Sequence, residues 1–183
     1  NNTGPDNTNT INLKSLKNKQ QIKSIKKAEE NIILTEENYD QYFTNGEIKS
    51  GIKKITLGSD LYNKNMTIGN DLIEINNYLH KYTLYNTTII YKHNVTLNNI
   101  TIINTDEREA TFILSSTLKP FEMYGNTYLL DIRFNNCTII QKNKGDSVLF
   151  KEESNATANI NLRFSRIIME GNKAIVINFT NSP

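Results

Sequence analysis

The sequence predicts an all-β fold in which short parallel strands stack into a β-helix. The first observation is a seven-residue phrase (bulky apolar, any, Asn, any, Thr, Ile, Ile) that occurs at residues 84–90, 97–103 and 134–140. Internal repeats of this kind are typical of stacked architectures. The second observation is that short segments rich in Ile, Thr, Tyr and Phe alternate with polar turns from Gly51 onward, without a long helical period.

The composition allows one domain and disfavours several classes of partner. A chain of 183 residues can bury a core of its own. The net charge is +2, which selects neither nucleic acid nor an anionic membrane. The single cysteine, Cys137, excludes an internal disulfide. It occupies an apolar position of the phrase, so we expect a buried thiol rather than a nucleophile.

Residues 1–28 are expected to form a disordered polar lead. They are rich in Asn, Thr and Lys and contain no aromatic residue, so they bury too little apolar surface to offset their ordering entropy. The lysines could contact an acidic polymer or a cell wall. A solvated linker is the favoured interpretation, because no aromatic residues are interleaved to provide stacking platforms.

Residues 29–50 are expected to form an N-terminal strand and a capping helix. An apolar run looks like the strand, and Thr35 followed by two acids looks like a helix N-cap. Tyr39, Tyr42 and Phe43 fall at positions i, i+3 and i+4, which places three aromatics on one helix face. A helix of about two turns is not stable alone, so we expect it to cover the first strands of the stack. Carbohydrate stacking on these aromatics is the alternative.

Residues 51–183 are expected to form the β-helix domain, open at its C-terminal end. The two longest candidate strands cover residues 82–91 and 95–103, and the last covers residues 174–179. The interval of 13 residues from position 84 to position 97 fits either two faces of one coil or a hairpin.

The longer intervals between copies suggest which residues stack inside. They are 37 residues from Leu97 to Phe134 and 30 residues from Phe134 to Phe164, which fit single coils with inserted loops better than tight hairpins. Residues 131–135 also match residues 161–165 position by position. The predicted core stack therefore pairs Ile132 with Leu162 and Phe134 with Phe164, and adds Leu97 and Ile139.

The Asn of the phrase is expected to form the corners between strands. Asn tolerates the left-handed backbone conformation that a tight corner needs. Stacked Asn side chains can also hydrogen-bond along the stack. These arguments make Asn86, Asn99 and Asn136 the predicted corner and ladder residues.

The chain lacks the motifs of known catalytic and metal sites. Its acids are scattered, and His80 and His93 have no Cys or carboxylate at metal-ligand spacing. Asp131, Arg133 and Arg163 form the best candidate polar cluster, and we predict a structural salt bridge between neighbouring strands there. We therefore expect no catalytic residue, no metal and no cofactor.

Two stretches resemble known families. Residues 94–104 and 134–140 resemble the coils of pectate-lyase-like right-handed β-helices. The polar lead, residues 35–43 and the strand that starts near Ile55 resemble the Asn/Thr-rich adhesin-like surface proteins of methanogenic archaea. The resemblance implies a right-handed parallel β-helix in a secreted or wall-associated protein. No catalytic residue carries over, because no catalytic motif matches.

The expected function is a non-catalytic, extracellular or cell-surface module that presents an elongated binding face. A carbohydrate-active β-helical lyase or hydrolase is the first alternative, and a structural unit of a spike or surface layer is the second. The expected partners are a carbohydrate or cell-surface polymer, or further domains of a longer parent chain. We expect no nucleic acid partner, and no apolar run is long enough to span a membrane.

Overall fold

A computed structural model describes residues 30–69, 71–115, 121–123, 125–128, 130–142, 147–153 and 158–170. The predicted lead at residues 1–28, the last predicted strand at residues 174–179 and the predicted open C-terminal end lie outside the described residues.

Most of the described residues lie in short strands, which confirms the all-β prediction. One short helix, α1 (Tyr39–Tyr42), and one 3-10 turn (Tyr78–His80) accompany them. In chain order the strands are β1 (Asn31–Leu34), β2 (Phe43–Thr44), β3 (Glu47–Ile48), β4 (Lys54–Leu57), β5 (Leu61–Tyr62), β6 (Asn65–Ile68), β7 (Glu74–Asn76), β8 (Thr83–Tyr85), β9 (Thr88–Tyr91), β10 (Thr96–Asn98), β11 (Thr101–Asn104), β12 (Ala110–Leu114), β13 (Phe121–Met123), β14 (Asn126–Tyr128), β15 (Leu130–Asn135), β16 (Thr138–Lys142), β17 (Val148–Glu152), β18 (Ala158–Arg163) and β19 (Arg166–Glu170).

The strands form three parallel sheets that the chain visits in rotation. Sheet 1 has the order β1-β4-β7-β10-β15-β18, sheet 2 has the order β5-β8-β11-β16-β19, and sheet 3 has the order β3-β6-β9-β12-β17 with β2 at its edge. Each passage of the chain through the sheets is called a pass here. The passes cover residues 31–48, 54–68, 74–91, 96–114, 130–152 and 158–170.

Two antiparallel pairs depart from this pattern. Strands β2 and β3 form a small hairpin within the first pass, and β13 and β14 form a second hairpin between the fourth and fifth passes. The second hairpin accounts for the 37-residue interval between Leu97 and Phe134, which are direct partners in sheet 1. The neighbouring intervals in that sheet, from Ile55 to Ile75 and from Ile75 to Leu97, are 20 and 22 residues.

Each of the two long candidate strands is broken into two strands at an Asn. The break lies at Asn86 between β8 and β9, and at Asn99 between β10 and β11. Both residues have positive φ, 49° and 59°, so the chain turns there from one sheet into the next. Leu84 and Leu97 consequently lie in sheets 2 and 1 and do not pair, which excludes the hairpin alternative.

The predicted stacking of the last two passes is wrong by two residues. Ile132 lies on Ile160, and Phe134 lies on Leu162 rather than on Phe164. Phe164 is 85% exposed. The register in sheet 2 explains the error, because β19 places Ile167 on the inward-facing Ile139 of β16. Two residues must then form the corner in both of these passes, so Phe164 occupies the place that Asn136 has one pass earlier.

An aromatic cluster lies at the centre of the core. The ring centroid of Phe112 lies 5.1 Å from that of Phe134, 4.9 Å from that of Phe150 and 6.1 Å from that of Tyr91. All four side chains are buried. Leu97, Ile132 and Ile139 of the predicted core stack are also buried, whereas Leu162 in the last described pass is partly exposed.

The N-terminal helix is shorter than predicted and begins later. Its N-cap is Asn38, and Thr35 contributes from outside: its Oγ1 accepts a hydrogen bond from the Asn38 N–H at 3.1 Å. Tyr39 and Phe43 are buried with stacked rings, and Tyr42 packs against the core. The preceding loop covers the edge of sheet 2, because the Glu36 carboxylate accepts the N–H of Tyr62 in β5 at 3.1 Å.

The corner between sheets 2 and 3 contains a buried polar network around Asn104. The Asn104 side chain accepts the N–H of Thr87 at 2.8 Å, and it donates to the Thr87 carbonyl and the Thr111 hydroxyl, both at 2.9 Å. Arg108 closes the outer side of this corner and donates two hydrogen bonds to Asp106. These bonds from Arg108 hold the pKa of the Asp106 carboxyl below its usual range.

Cys137 is expected to be unreactive in the folded protein. Burial raises the pKa of its thiol to about 11, and the thiolate is the species that reacts with disulfide reagents. At about pH 8 a disulfide reagent should label the guanidinium-unfolded chain rapidly and the native chain only as fast as it unfolds. Rapid stoichiometric labelling of the native chain would contradict the buried placement.

Candidate binding surface

The third pass carries a four-residue insertion at the corner between sheets 1 and 2. In the fourth pass two residues separate Asn98 of β10 from Thr101 of β11, whereas six separate their partners Asn76 and Thr83. The additional residues are 78–81. The insertion exposes two large apolar side chains, since Tyr78 is 73% and Leu79 is 91% exposed.

A buried asparagine holds the base of the insertion. Asn77 is fully buried. Its Nδ2 donates to the carbonyls of Tyr82 at 2.8 Å and Asn99 at 3.0 Å, and its Oδ1 accepts the N–H of Tyr82 at 3.1 Å. The insertion therefore leaves and re-enters the stack through one fixed side chain, which favours a defined loop over a frayed one.

The corner residues of four successive passes share a left-handed backbone and form a column along one edge of the molecule. We call Leu79, His80, Asn99, Asn136 and Phe164 the corner column; their φ values are 58°, 52°, 59°, 55° and 53°. The Asn136 Nδ2 donates to Asn99 Oδ1 at 3.1 Å and lies 2.8 Å from Nε2 of His80. The insertion thus reaches across the fourth pass to contact the fifth.

Leu79 and Phe164 are unusual in this conformation, because left-handed backbone is unfavourable for large side chains. Such strain is often found where a side chain is held out for function. These two side chains are the most exposed large apolar groups among the described residues. The corner column therefore has an apolar group near each end and polar groups between them.

Replacing Phe164 with Asn is expected to stabilise the fold by about 1 kcal/mol, because Asn tolerates the left-handed backbone better than Phe. Denaturant unfolding of the variant and of Phe164→Leu would measure the effect. The Leu variant keeps the backbone penalty and should unfold near the wild-type midpoint. Equal denaturant midpoints for Phe164→Asn and the wild type would contradict backbone strain at residue 164.

Three cations beside the corner column form no ion pair within the described ranges. They are Lys81 in the insertion, Arg163 at the end of β18 and Arg166 at the start of β19, and all three are exposed. Lys81 Nζ lies 5.4 Å from the centroid of the Tyr82 ring, and the Arg163 guanidinium carbon lies 5.9 Å from that of Phe164. Most other described cations are paired with carboxylates, for example Lys54 with Glu74 and Arg133 with Asp131.

The outer face of sheet 2 adjoins the corner column and carries two ordered columns. One is the threonine column, which consists of Thr83, Thr101 and Thr138. The other is formed by Tyr62, Tyr85, Ile103, Ile140 and Ile168. The Tyr62 and Tyr85 rings stack at 5.2 Å. In the two copies of the phrase that lie in sheet 2, residues 97–103 and 134–140, the Thr-Ile-Ile part therefore presents Thr and the second Ile outward, with the first Ile in the core.

The three predicted corner asparagines do not form one column. Asn99 and Asn136 lie in the corner column, whereas Asn86 lies at the corner between sheets 2 and 3, where its Oδ1 accepts the Thr105 N–H at 2.9 Å. A separate asparagine ladder runs along the outer face of sheet 1. It consists of Asn76, Asn98 and Asn135, joined by side-chain hydrogen bonds of 2.8 and 2.9 Å.

The predicted salt bridge between neighbouring strands is wrong. Arg133 pairs with Asp131 at 3.0 Å within the single strand β15. The contact between strands comes instead from the Asn161 Nδ2, which donates to Asp131 at 2.7 Å. Arg163 lies over Phe164 at the corner, so the three residues of the predicted cluster do not converge.

Sequence reasoning missed the insertion and the unpaired cations. The available signal was the repeated Asn-Asn pair, because Asn76-Asn77 matches Asn98-Asn99 and Asn135-Asn136. Aligning on it would have shown the interruption after Asn77. The absence of ion pairs could not have been foreseen, because it depends on which strands are neighbours.

The described residues contain no group of three or more His, Cys, Asp or Glu side chains that could hold a metal ion. Within the same ranges no helix is both long and apolar enough to cross a membrane. No protein-family model matches the chain, and neither a curated protein nor a solved structure matches it.

Proposed function

We propose that the three parallel sheets form a right-handed parallel β-helix. Rotation of the chain through the sheets, with each strand pairing one pass later, supports the helical path. The right hand is supported by the strong preference of connections between parallel strands for that hand.

We infer that the molecule is a non-catalytic binding module whose binding face follows the corner column and the adjoining outer face of sheet 2. The observation that carries this proposal is the insertion, which holds Tyr78 and Leu79 in solvent while its base is fixed by the buried Asn77. A loop with no binding role has no evident reason to keep Leu79 both strained and exposed.

An extended ligand fits this face better than a compact one. The corner column spans the third to sixth passes, and parallel strands are about 4.8 Å apart, so the column is about 14 Å long. Its width is one corner and the adjacent threonine column. A folded protein partner would need a far larger area for a stable interface.

We further propose that the protein is an adhesin-like surface module that works outside the cell, on the sequence resemblance given above. The exposed binding face is consistent with contact to a carbohydrate or another cell-surface polymer. Further domains of a longer parent chain would extend the same role.

A binding screen against a panel of immobilised linear polysaccharides, run beside an assay for bond cleavage, tests this function. The expected result is binding without cleavage, lost in Tyr78→Ala/Leu79→Ala. The matched control is Ile33→Ala/Ile73→Ala, which removes two exposed apolar groups elsewhere. Cleavage that disappears in Arg133→Ala would overturn the non-catalytic proposal, and equal binding by both double variants would overturn the location.

A further inference from the structure

We propose that the corner surface binds an acidic polysaccharide, with Lys81, Arg163 and Arg166 contacting its carboxylates or sulfates. This inference rests on the proposed binding face and adds the charge of the ligand. The corner surface is defined as the corner column, the threonine column and these three cations.

Cations without carboxylate partners cluster beside the corner column. Among the described Lys and Arg residues, three of the four that lack an ion pair lie beside the corner column, and the fourth is Lys49. Ion pairs are frequent elsewhere on the same surface. Three unpaired cations on one edge therefore create a local positive potential on a chain of net charge +2.

Few acids lie beside the corner column to neutralise that potential. The carboxylate of Asp60 in the second pass borders its third-pass end, where it accepts the Thr83 N–H at 2.7 Å. From the third pass to the sixth, the corner segments, residues 77–82, 99–100, 136–137 and 164–165, contain no Asp or Glu. The flanking carboxylates on sheet 1 are engaged, since Glu74 pairs with Lys54 and Asp131 pairs with Arg133. A ligand with complementary charge would thus be an anion.

Charged groups lie at the two ends of the corner surface, and neutral hydrogen-bonding groups lie between them. Lys81 lies in the third pass and the two arginines lie in the sixth, about 14 Å away along the stack. Neutral amides and hydroxyls fill the interval, namely Asn99, Asn136 and the threonine column. A polysaccharide whose acidic groups are separated by hydroxyl-rich stretches matches this pattern.

The same spacing disfavours single-stranded nucleic acid. A nucleic acid strand carries a phosphate at every residue, and its recognition uses several aromatic stacking platforms along a continuous basic groove. Here the middle of the column is uncharged. Within the described residues, the most exposed aromatic rings beside the column, Tyr78 and Phe164, lie at its opposite ends and form no continuous row of stacking platforms.

The test compares two triple variants of equal charge change for binding to polygalacturonate. Lys81→Gln/Arg163→Gln/Arg166→Gln removes the corner cations, and Lys49→Gln/Lys53→Gln/Lys151→Gln removes three cations elsewhere. The corner variant is expected to bind about tenfold more weakly or worse, and the control to bind within about twofold of the wild type. Wild-type affinity should fall as salt rises. Thermal unfolding of each variant verifies that it is folded.

Other outcomes separate this inference from the proposed function. Binding to a neutral glucan that is lost in Tyr78→Ala/Leu79→Ala but unchanged in the corner-charge variant would overturn the acidic ligand and leave the binding face standing. Tighter binding to single-stranded DNA than to polygalacturonate would also overturn it. Binding to polygalacturonate that both triple variants weaken equally would show a nonspecific charge effect and contradict the site.

Discussion

Phe112→Ala is expected to lower the free energy of unfolding by about 3–5 kcal/mol. Phe112 is 1% exposed and contacts three other rings, those of Tyr91, Phe134 and Phe150. Removing its ring leaves a cavity between sheets 1 and 3, which the short and tightly paired strands cannot easily fill. Denaturant unfolding followed by far-ultraviolet circular dichroism would measure the loss.

The control for this prediction is Ile113→Ala on the same strand. Ile113 points outward and is half-buried, so its truncation should cost below about 1 kcal/mol. A loss for Phe112→Ala no larger than that for Ile113→Ala would contradict the placement of the aromatic cluster in the core.

Asn104→Leu is expected to lower the free energy of unfolding by about 2–4 kcal/mol, although leucine is similar in size to asparagine and more hydrophobic. The substitution leaves the Thr87 N–H and the Thr87 carbonyl without their side-chain partner in a buried corner. The Thr111 hydroxyl loses one hydrogen bond and keeps its bond to Gln141. An unsatisfied buried polar group costs about 1–3 kcal/mol. Thermal and denaturant unfolding of the variant would measure the total.

Tyr91→Phe provides the opposite case for comparison. The Tyr91 hydroxyl is buried without a hydrogen-bond partner in the described part of the chain, and burial raises its pKa well above the usual value. Removing this hydroxyl should leave the free energy of unfolding unchanged or raise it slightly, because no hydrogen bond is lost. If Tyr91→Phe lowered the free energy of unfolding more than Asn104→Leu does, the roles given to these buried polar groups would be wrong.

The repeated phrase was sufficient to predict the all-β class and its parallel strands. The alternation of Asn, Thr and Ile specifies where a strand ends and which side chains face inward. The phrase could not separate the two kinds of corner, however. Asn86 and Asn99 occur in nearly identical sequences and yet lie at different corners, because the pairing of each strand is decided by contacts one pass away.

The error at Phe164 has a similar origin. The match of residues 131–135 to residues 161–165 is real in sequence, but the pairing of β19 with β16 overrides it. A corner has a fixed length of two residues there, and so Phe164 takes a position that Asn occupies one pass earlier. Local similarity alone does not contain that constraint.

The candidate surface was the least predictable part of the molecule. Its insertion interrupts the phrase and hides the copy that begins at Ile75. Its cations are scattered in the sequence at positions 81, 163 and 166, and they come together through the stacking of the third to sixth passes. Only the completed strand pairing places them on one edge.

Hydrogen-exchange mass spectrometry with and without polygalacturonate tests the central claim most directly. The account predicts that ligand protection is concentrated in peptides covering residues 77–83, 99–101, 136–138 and 163–166, which are far apart in sequence and adjacent at the corner. Protection of the outer face of sheet 3 instead, or saturating binding with no protection of the corner peptides, would contradict it.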